Sequence, residues 1–129
     1  MTTHLLILDD DQDLLEVFQA ILEEEGYHLT LSVLPILQVS EIERINPDLI
    51  LLDFRFHAAS SGQDMMEMLK NHISTRAIPL IVCSADLQAV QALQTSLALE
   101  NILIINKPFE LTTLLDTINQ ALPPSKQLR

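Results

Sequence analysis

The chain has 129 residues, 48% apolar and 19% charged, which suits one globular domain with a packed core and leaves too little for a second. Seven Lys and Arg stand against eighteen Asp and Glu, a formal charge of −11 that would repel nucleic-acid phosphates and anionic lipid. Two glycines cannot build a Walker loop or a G-x-G-x-x-G turn, and one cysteine, Cys83, cannot form an internal disulfide or a multi-thiolate zinc site.

In chain order, the first element is the apolar run Leu5 to Leu8, of strand length. Asp9, Asp10, Asp11 and Asp13 then open a helix with the stripe Leu14, Leu15, Phe18, Ile21 and Leu22, closed by Gly26, where a left-handed residue is favoured. His28 to Ser32 reads as a second strand. A second helix is predicted from about Pro35 through Val39 and Ile42 to near Ile45, stopped by Asn46-Pro47. Leu49 to Leu52 is a third strand. Gln63 to about Asn71 is a third helix, with Met65, Met66 and Leu69 as core filler. Leu80 to Cys83 is the fourth strand, and the fourth helix runs from near Asp86 to Ala98 with Val90, Leu93 and Leu97 facing in. Asn101 to Ile105 is the fifth strand. The last helix keeps Leu111, Leu114, Leu115, Ile118 and Leu122 on one face, and Pro123-Pro124 ends it. Residues 1–122 form the domain, and 123–129 read as a polar tail or the start of a linker.

Every strand except the second lacks period-two alternation, which is how strands covered on both faces read. Strand and helix alternating five times require crossover connections, so the fold class is doubly wound α/β with a parallel sheet and helices on both faces. In such sheets the ligand site lies beyond the carboxyl ends of the strands.

Those ends supply Asp9 and Asp10 after the first strand, Asp53 after the third, Ser84 after the fourth and Lys107 just past the fifth. Acids that open a helix ordinarily cap free amides, and that explains Asp11 and Asp13. Asp9 and Asp10 differ because Asp53 ends another strand of the same sheet. Two carboxylates about 5 Å apart repel by roughly 3 kcal/mol at an effective dielectric of 20, which a bound divalent cation offsets. All-oxygen carboxylate ligation suits Mg²⁺. A calcium loop on Asp9, Asp11 and Asp13 fails, because Leu14 stands where Gly is needed and Ala20 where a bidentate Glu is needed. Asp53 beside a cation is placed to attack phosphorus and form an acyl phosphate, with Lys107 pairing the phosphoryl oxygens and Ser84 donating a hydrogen bond to one of them. The Lys107-Pro108 bond is a candidate cis peptide.

Ile7-Leu8-Asp9-Asp10-Asp11, Pro47-Asp48-Leu49-Ile50-Leu51-Leu52-Asp53, Ile81-Val82-Cys83-Ser84-Ala85 and Asn106-Lys107-Pro108-Phe109 follow in an order and spacing that resembles the receiver domain of two-component response regulators. The resemblance spans His4 to about Leu122. It implies a flavodoxin-like five-stranded sheet in the order 2-1-3-4-5 and phosphorylation of Asp53 from a histidine kinase or phosphotransfer protein. It further implies Mg²⁺ held by Asp9 or Asp10 and Asp53 with the Arg55 carbonyl assisting, and a downstream protein or output domain as reader. The family also suggests a homodimer or partner contact through the fourth and fifth helices. Three departures stand out: the loop Phe54 to Ser61 is one residue longer than usual and lacks the usual proline, Ile104 replaces the customary switch aromatic, and Leu97-Ala98-Leu99-Glu100-Asn101 replaces a Gly-Ala-Asp turn.

Arg55 and Asp86, each two residues beyond a site residue, are candidates for pairing across the entrance and hindering an attacking water. Cys83 reads as a small buried hydrophobe, and His4, His28, His57 and His72 lack helical metal-ligand spacing. Two other functions compete with the switch. One is an aspartate-nucleophile phosphohydrolase using Asp9 and Asp11, which lacks its Asp-x-Asp-Gly-Thr start and its later acid pair. The other is an interaction module that keeps the fold without phosphorylation. A cytoplasmic protein is expected: cysteine usage fits a reducing compartment, no basic region precedes the first apolar run, and no span nears the roughly 18 apolar residues of a membrane helix. Neither nucleic acid nor membrane is an expected partner.

Overall fold

Alternate residues of the first strand feed two different cores, which is why its sequence shows no alternation. In β1 (His4–Leu8), Leu5 and Ile7 belong to one apolar cluster while Leu6 and Leu8 belong to another on the opposite face. The same division holds in β3 (Leu49–Asp53), with Leu49 and Leu51 on one side and Ile50 and Leu52 on the other. The computed structural model describes residues 2–54, 61–86, 88, 89, 92 and 102–128.

Between those strands run α1 (Gln12–Glu24), β2 (His28–Ser32) and α2 (Val39–Ile45); after β3 come α3 (Ser61–Asn71), β4 (Leu80–Ser84), β5 (Ile102–Asn106) and a C-terminal helix (Leu111–Ala121). The strands form one parallel sheet in the order β2-β1-β3-β4-β5, as expected. One face is covered by Leu15, Phe18 and Leu22 of α1 with Leu114 and Ile118 of the C-terminal helix. The other is covered by Ile42 of α2 and Met65, Met66 and Leu69 of α3. Each such aliphatic side chain removed from water contributes about 1.5–3 kcal/mol, so sheet and helices stabilise one another. Among the described residues no helix is long and apolar enough to cross a membrane.

Local signals account for most boundaries. Asp11 caps α1 by accepting a hydrogen bond from the Leu14 amide, and Gly26 follows the helix with φ +104°. Asn46 closes α2 in the left-handed region at φ 53°. The second helix is shorter than its sequence suggests. Ser32 Oγ donates to the Leu34 carbonyl at 2.7 Å and accepts from its amide at 3.2 Å, a turn that competes with helix. From this non-helical stretch Ile36 packs against the second core, so Pro35 does not begin the helix. Of the predicted fourth helix, Gln88, Ala89 and Ala92 are helical, and the remainder beyond Asp86 lies outside the described residues.

The chain end returns to the amino-terminal edge of the sheet. Pro124–Lys126 form a 3-10 turn in which the Lys126 carbonyl accepts from Thr3 Oγ1 at 2.7 Å and the Lys126 ammonium stands 3.3 Å from Asp48.

Candidate functional site

Strand register converges the charged residues at the opposite, carboxyl edge. Leu8 of β1 pairs with Leu52 of β3, so the residues just after β1 lie beside Asp53, the last residue of β3. The Asp9 amide donates to the Ser32 carbonyl at 3.1 Å, which prolongs the β1 to β2 ladder and holds Asp9 at the sheet edge. Asp9 is only 3% exposed, and a buried carboxylate needs compensation. Its Oδ1 accepts from the Asp11 amide at 2.9 Å and its Oδ2 from Lys107 Nζ at 3.2 Å.

Lys107 comes from beyond β5, where its amide donates to the Ser84 carbonyl at 2.7 Å and its bond to Pro108 is cis. Its ammonium also stands 3.4 Å from Asp53 Oδ1. Burial pulls the Lys107 pKa down, but the Asp53 and Asp9 charges and the Asp9 hydrogen bond outweigh it, so the net shift is upward. The lysine is therefore held as an ammonium between two carboxylates from adjacent strands.

Asp10 completes the group: carboxylate oxygens of Asp9, Asp10 and Asp53 all lie within 4.8 Å of one another, and no other such group of three occurs among the described residues. Each pair of those charges repels by roughly 3 kcal/mol at an effective dielectric of 20. Three carboxylates and one ammonium give these four side chains a formal net charge of −2. The donors are all hard oxygens, and Asp10 keeps the group open to solvent, a set that fits a divalent cation retaining some of its water.

Ser84 ends β4 fully buried, one residue beyond Cys83, which pairs with Asp53 across the sheet. Its Oγ accepts from the Asp86 amide at 3.0 Å and donates to the Asp86 carbonyl at 3.4 Å. Asp86 Oδ1 in turn accepts from the Ala89 amide at 3.0 Å. Ile104 sits half-buried in β5 opposite Val82. Arg55, its carbonyl and its suggested pairing with Asp86 lie outside the described residues, as does the loop from 55 to 60. Asp11 is engaged in capping α1, which leaves Asp9 without the Asp11 carboxylate that a phosphohydrolase pair would use. Burial pushes the Cys83 thiol up to about 12, so it carries no thiolate at neutral pH.

Sequence reasoning passed over Gly62. A Cβ on this residue would lie 2.8 Å from the Phe54 carbonyl carbon and 3.0 Å from the Asp53 carbonyl oxygen. The missing side chain lets the start of α3 close against the end of β3. The available signal was a lone glycine opening a helix nine residues after a strand-ending acid, a place where glycine is otherwise unfavourable.

A family model described as the response regulator receiver domain matches residues 5–119. Among solved structures, one reported as a response regulator from Chloroflexus aurantiacus J-10-fl shares 22% identity with a TM-score of 0.80, over 94% of this chain and 98% of that one. The chemotaxis response regulator CheY4 of Vibrio cholerae shares 15% at TM-score 0.79, over 95% and 100%. The N-terminal domain of a response regulator receiver protein from Methanoculleus marisnigri JR1 shares 26% at TM-score 0.66, over 91% and 94%. No curated protein sequence matches significantly.

Proposed function

The chain belongs to the response regulator receiver domain family, and from that membership we propose that it is a phosphoacceptor switch, taking a phosphoryl group on Asp53 from the phosphohistidine of a sensor histidine kinase or phosphotransfer protein. The observation that carries this reading is the Lys107 ammonium lodged between Asp9 and Asp53, with Asp10 as the third carboxylate.

An Asp53 carboxylate oxygen forms the new O–P bond as the N–P bond of the donor breaks, and the electron pair returns to the donor imidazole. Lys107 needs little movement to follow the charge outward from Asp53 Oδ1 onto a phosphoryl oxygen, because it already stands 3.4 Å away. Asp9, Asp10 and Asp53 are the residues that would hold Mg²⁺, with the Arg55 carbonyl assisting. When bound, Mg²⁺ supplies charge neutralisation that lets a phosphate approach a carboxylate cluster. Ser84 contributes its hydroxyl hydrogen to a phosphoryl oxygen, an interaction absent before transfer, and that difference biases two conformations of the domain. Attack of water on phosphorus then releases inorganic phosphate and regenerates the Asp53 carboxylate. A downstream protein or output domain reads the state.

A protein donor is supported by an apolar cleft of about 560 Å³ beside the site, between α1 and the C-terminal helix, lined by Leu14, Val17, Ile21, Pro108, Phe109 and Leu111 among others. Val17 is 50% exposed and Leu111 44%, while Asp13 and Glu16 lie exposed on α1. An apolar helix face with basic flanks fits such a surface.

The test is intact mass after incubation with acetyl phosphate and Mg²⁺, alongside Asp53→Asn and an EDTA control. A Mg²⁺-dependent monophosphate lost in Asp53→Asn is the expected result. No adduct from acetyl phosphate or from a panel of histidine kinases overturns the reading in favour of an interaction module that works without phosphorylation.

A further inference from the structure

Ser84 uses its two hydrogen-bonding capacities unequally. As an acceptor it takes the Asp86 amide at 3.0 Å, whereas as a donor it reaches the Asp86 carbonyl only at 3.4 Å. A carbonyl at that distance is a weak acceptor, and a phosphoryl oxygen carrying charge is a much better one. The same hydrogen cannot serve both.

The Ser84 backbone is pinned, because its carbonyl accepts from the Lys107 amide at 2.7 Å and its residue pairs with Asn106 of β5. Turning the hydroxyl toward a new acceptor therefore moves the side chain and not the strand. The turned oxygen carries its lone pairs away from the Asp86 amide. Asp86 is also fixed on its other side, where its Oδ1 accepts from the Ala89 amide at 3.0 Å, so what happens to its backbone reaches the first turn of the next helix. Ile104, on the neighbouring strand opposite Val82, offers no group that could sense the hydroxyl by a hydrogen bond.

Building on the phosphoacceptor reading above, we propose that Asp86 is a positioning residue that links the Ser84 hydroxyl to the start of the following helix, so that recruitment of Ser84 by a phosphoryl group on Asp53 is read at the Ala89 amide. The switch signal leaves the site through the helix cap. Carboxylate and backbone of one residue carry it, without an aromatic side chain in β5.

The experiment follows backbone amide resonances of the ¹⁵N-labelled chain during treatment with acetyl phosphate and Mg²⁺, with intact mass measured on the same samples. In the wild type a monophosphate forms and the Ala89 amide shifts with it. In Asp86→Ala most of the shift per phosphorylated molecule is lost, because the carboxylate that ties Asp86 to the Ala89 amide is gone, while Asp9 and Lys107 amides still respond. Asp86→Asn restores it, because an Asn side chain caps as Asp does. Ser84→Ala, which keeps the Asp86 cap, also loses the Ala89 response and serves if Asp86→Ala does not fold. A monophosphate that leaves the wild-type Ala89 amide unmoved, or an undiminished shift in Asp86→Ala, overturns the proposal with the phosphoacceptor reading intact. Absence of any monophosphate overturns both.

Discussion

Gly62 stands so close to Phe54 that a Cβ on the glycine would lie 2.8 Å from the Phe54 carbonyl carbon. Only a chain without a side chain at that point brings α3 against the end of β3, and the carbonyl of Asp53 is the next atom it would strike. Gly62→Ala is expected to cost about 1–3 kcal/mol, the range for forcing extra atoms into a filled site, even though alanine is the better helix former. Urea unfolding measures it. The displaced Asp53 backbone should also slow formation of the phospho-adduct. An unchanged unfolding midpoint would mean that the start of α3 moves aside freely.

Lys107 competes with any cation for the same carboxylates. Removing one positive charge from beside Asp9 and Asp53 should tighten Mg²⁺ binding in Lys107→Ala about tenfold, since a screened repulsion of roughly 1–2 kcal/mol is relieved. The metal-free variant should be less stable than the wild type, because buried Asp9 loses its charged partner. Its folded pKa is raised, so the stability Lys107 adds is fully present below 10.5 and is lost as pH rises through the folded value. Calorimetric titration with Mg²⁺, and urea unfolding in EDTA at pH 8 and in strongly alkaline buffer, check these signs. Weaker Mg²⁺ binding in the variant would mean that the lysine shapes the carboxylate group more than it opposes the cation.

The sheet and the gathering of Asp9, Asp10, Asp53 and Lys107 at its carboxyl edge were readable from sequence because both rest on side-chain pattern. The unalternating runs of β1, β3 and β4 announce strands with two covered faces, and the acids and the lysine fall at strand ends by simple counting. Pattern carries no information about interactions made by backbone. The Ser32 turn that shortens α2 bonds a hydroxyl to main-chain groups of Leu34, and Gly62 acts through what it lacks. The Ser84 to Asp86 to Ala89 chain likewise runs through main-chain amides, so residue types alone point instead to a pairing of the Asp86 charge with Arg55. Pro124–Lys126 read as polar tail because its anchor to Thr3 is a carbonyl oxygen.

His4 makes stability depend on mild acid. Burial lowers its pKa, the His28 ring 4.5 Å away lowers it further, and Asp48 and the Ile45 carbonyl oppose the shift without reversing it. The depressed folded value makes the unfolded chain bind more protons as pH falls below 6.5. The contribution of His4 is therefore complete above 6.5 and is lost as pH falls through the folded value. The unfolding free energy of the wild type relative to His4→Gln, measured between pH 8 and 5, should stay constant above 6.5 and fall as pH drops through the folded value. Parallel profiles would show that the carboxylates alone set the acid response.

Thr3 fixes the end of the chain to the amino-terminal edge of the sheet. Its side chain is buried and its Oγ1 donates to the Lys126 carbonyl at 2.7 Å, while the Lys126 ammonium pairs with Asp48 at 3.3 Å. Thr3→Val keeps the shape and removes the donor, leaving a carbonyl without its bond, at an expected cost of about 1 kcal/mol. Lys126→Ala removes a pair that solvent partly screens and should cost about 0.2–1 kcal/mol. Both residues hold the same turn, so the double variant should lose less than the sum of the two. Urea midpoints of the four proteins give the coupling directly. Strict additivity would mean that the hydrogen bond and the ion pair hold the 3-10 turn independently, each staying formed when the other is gone.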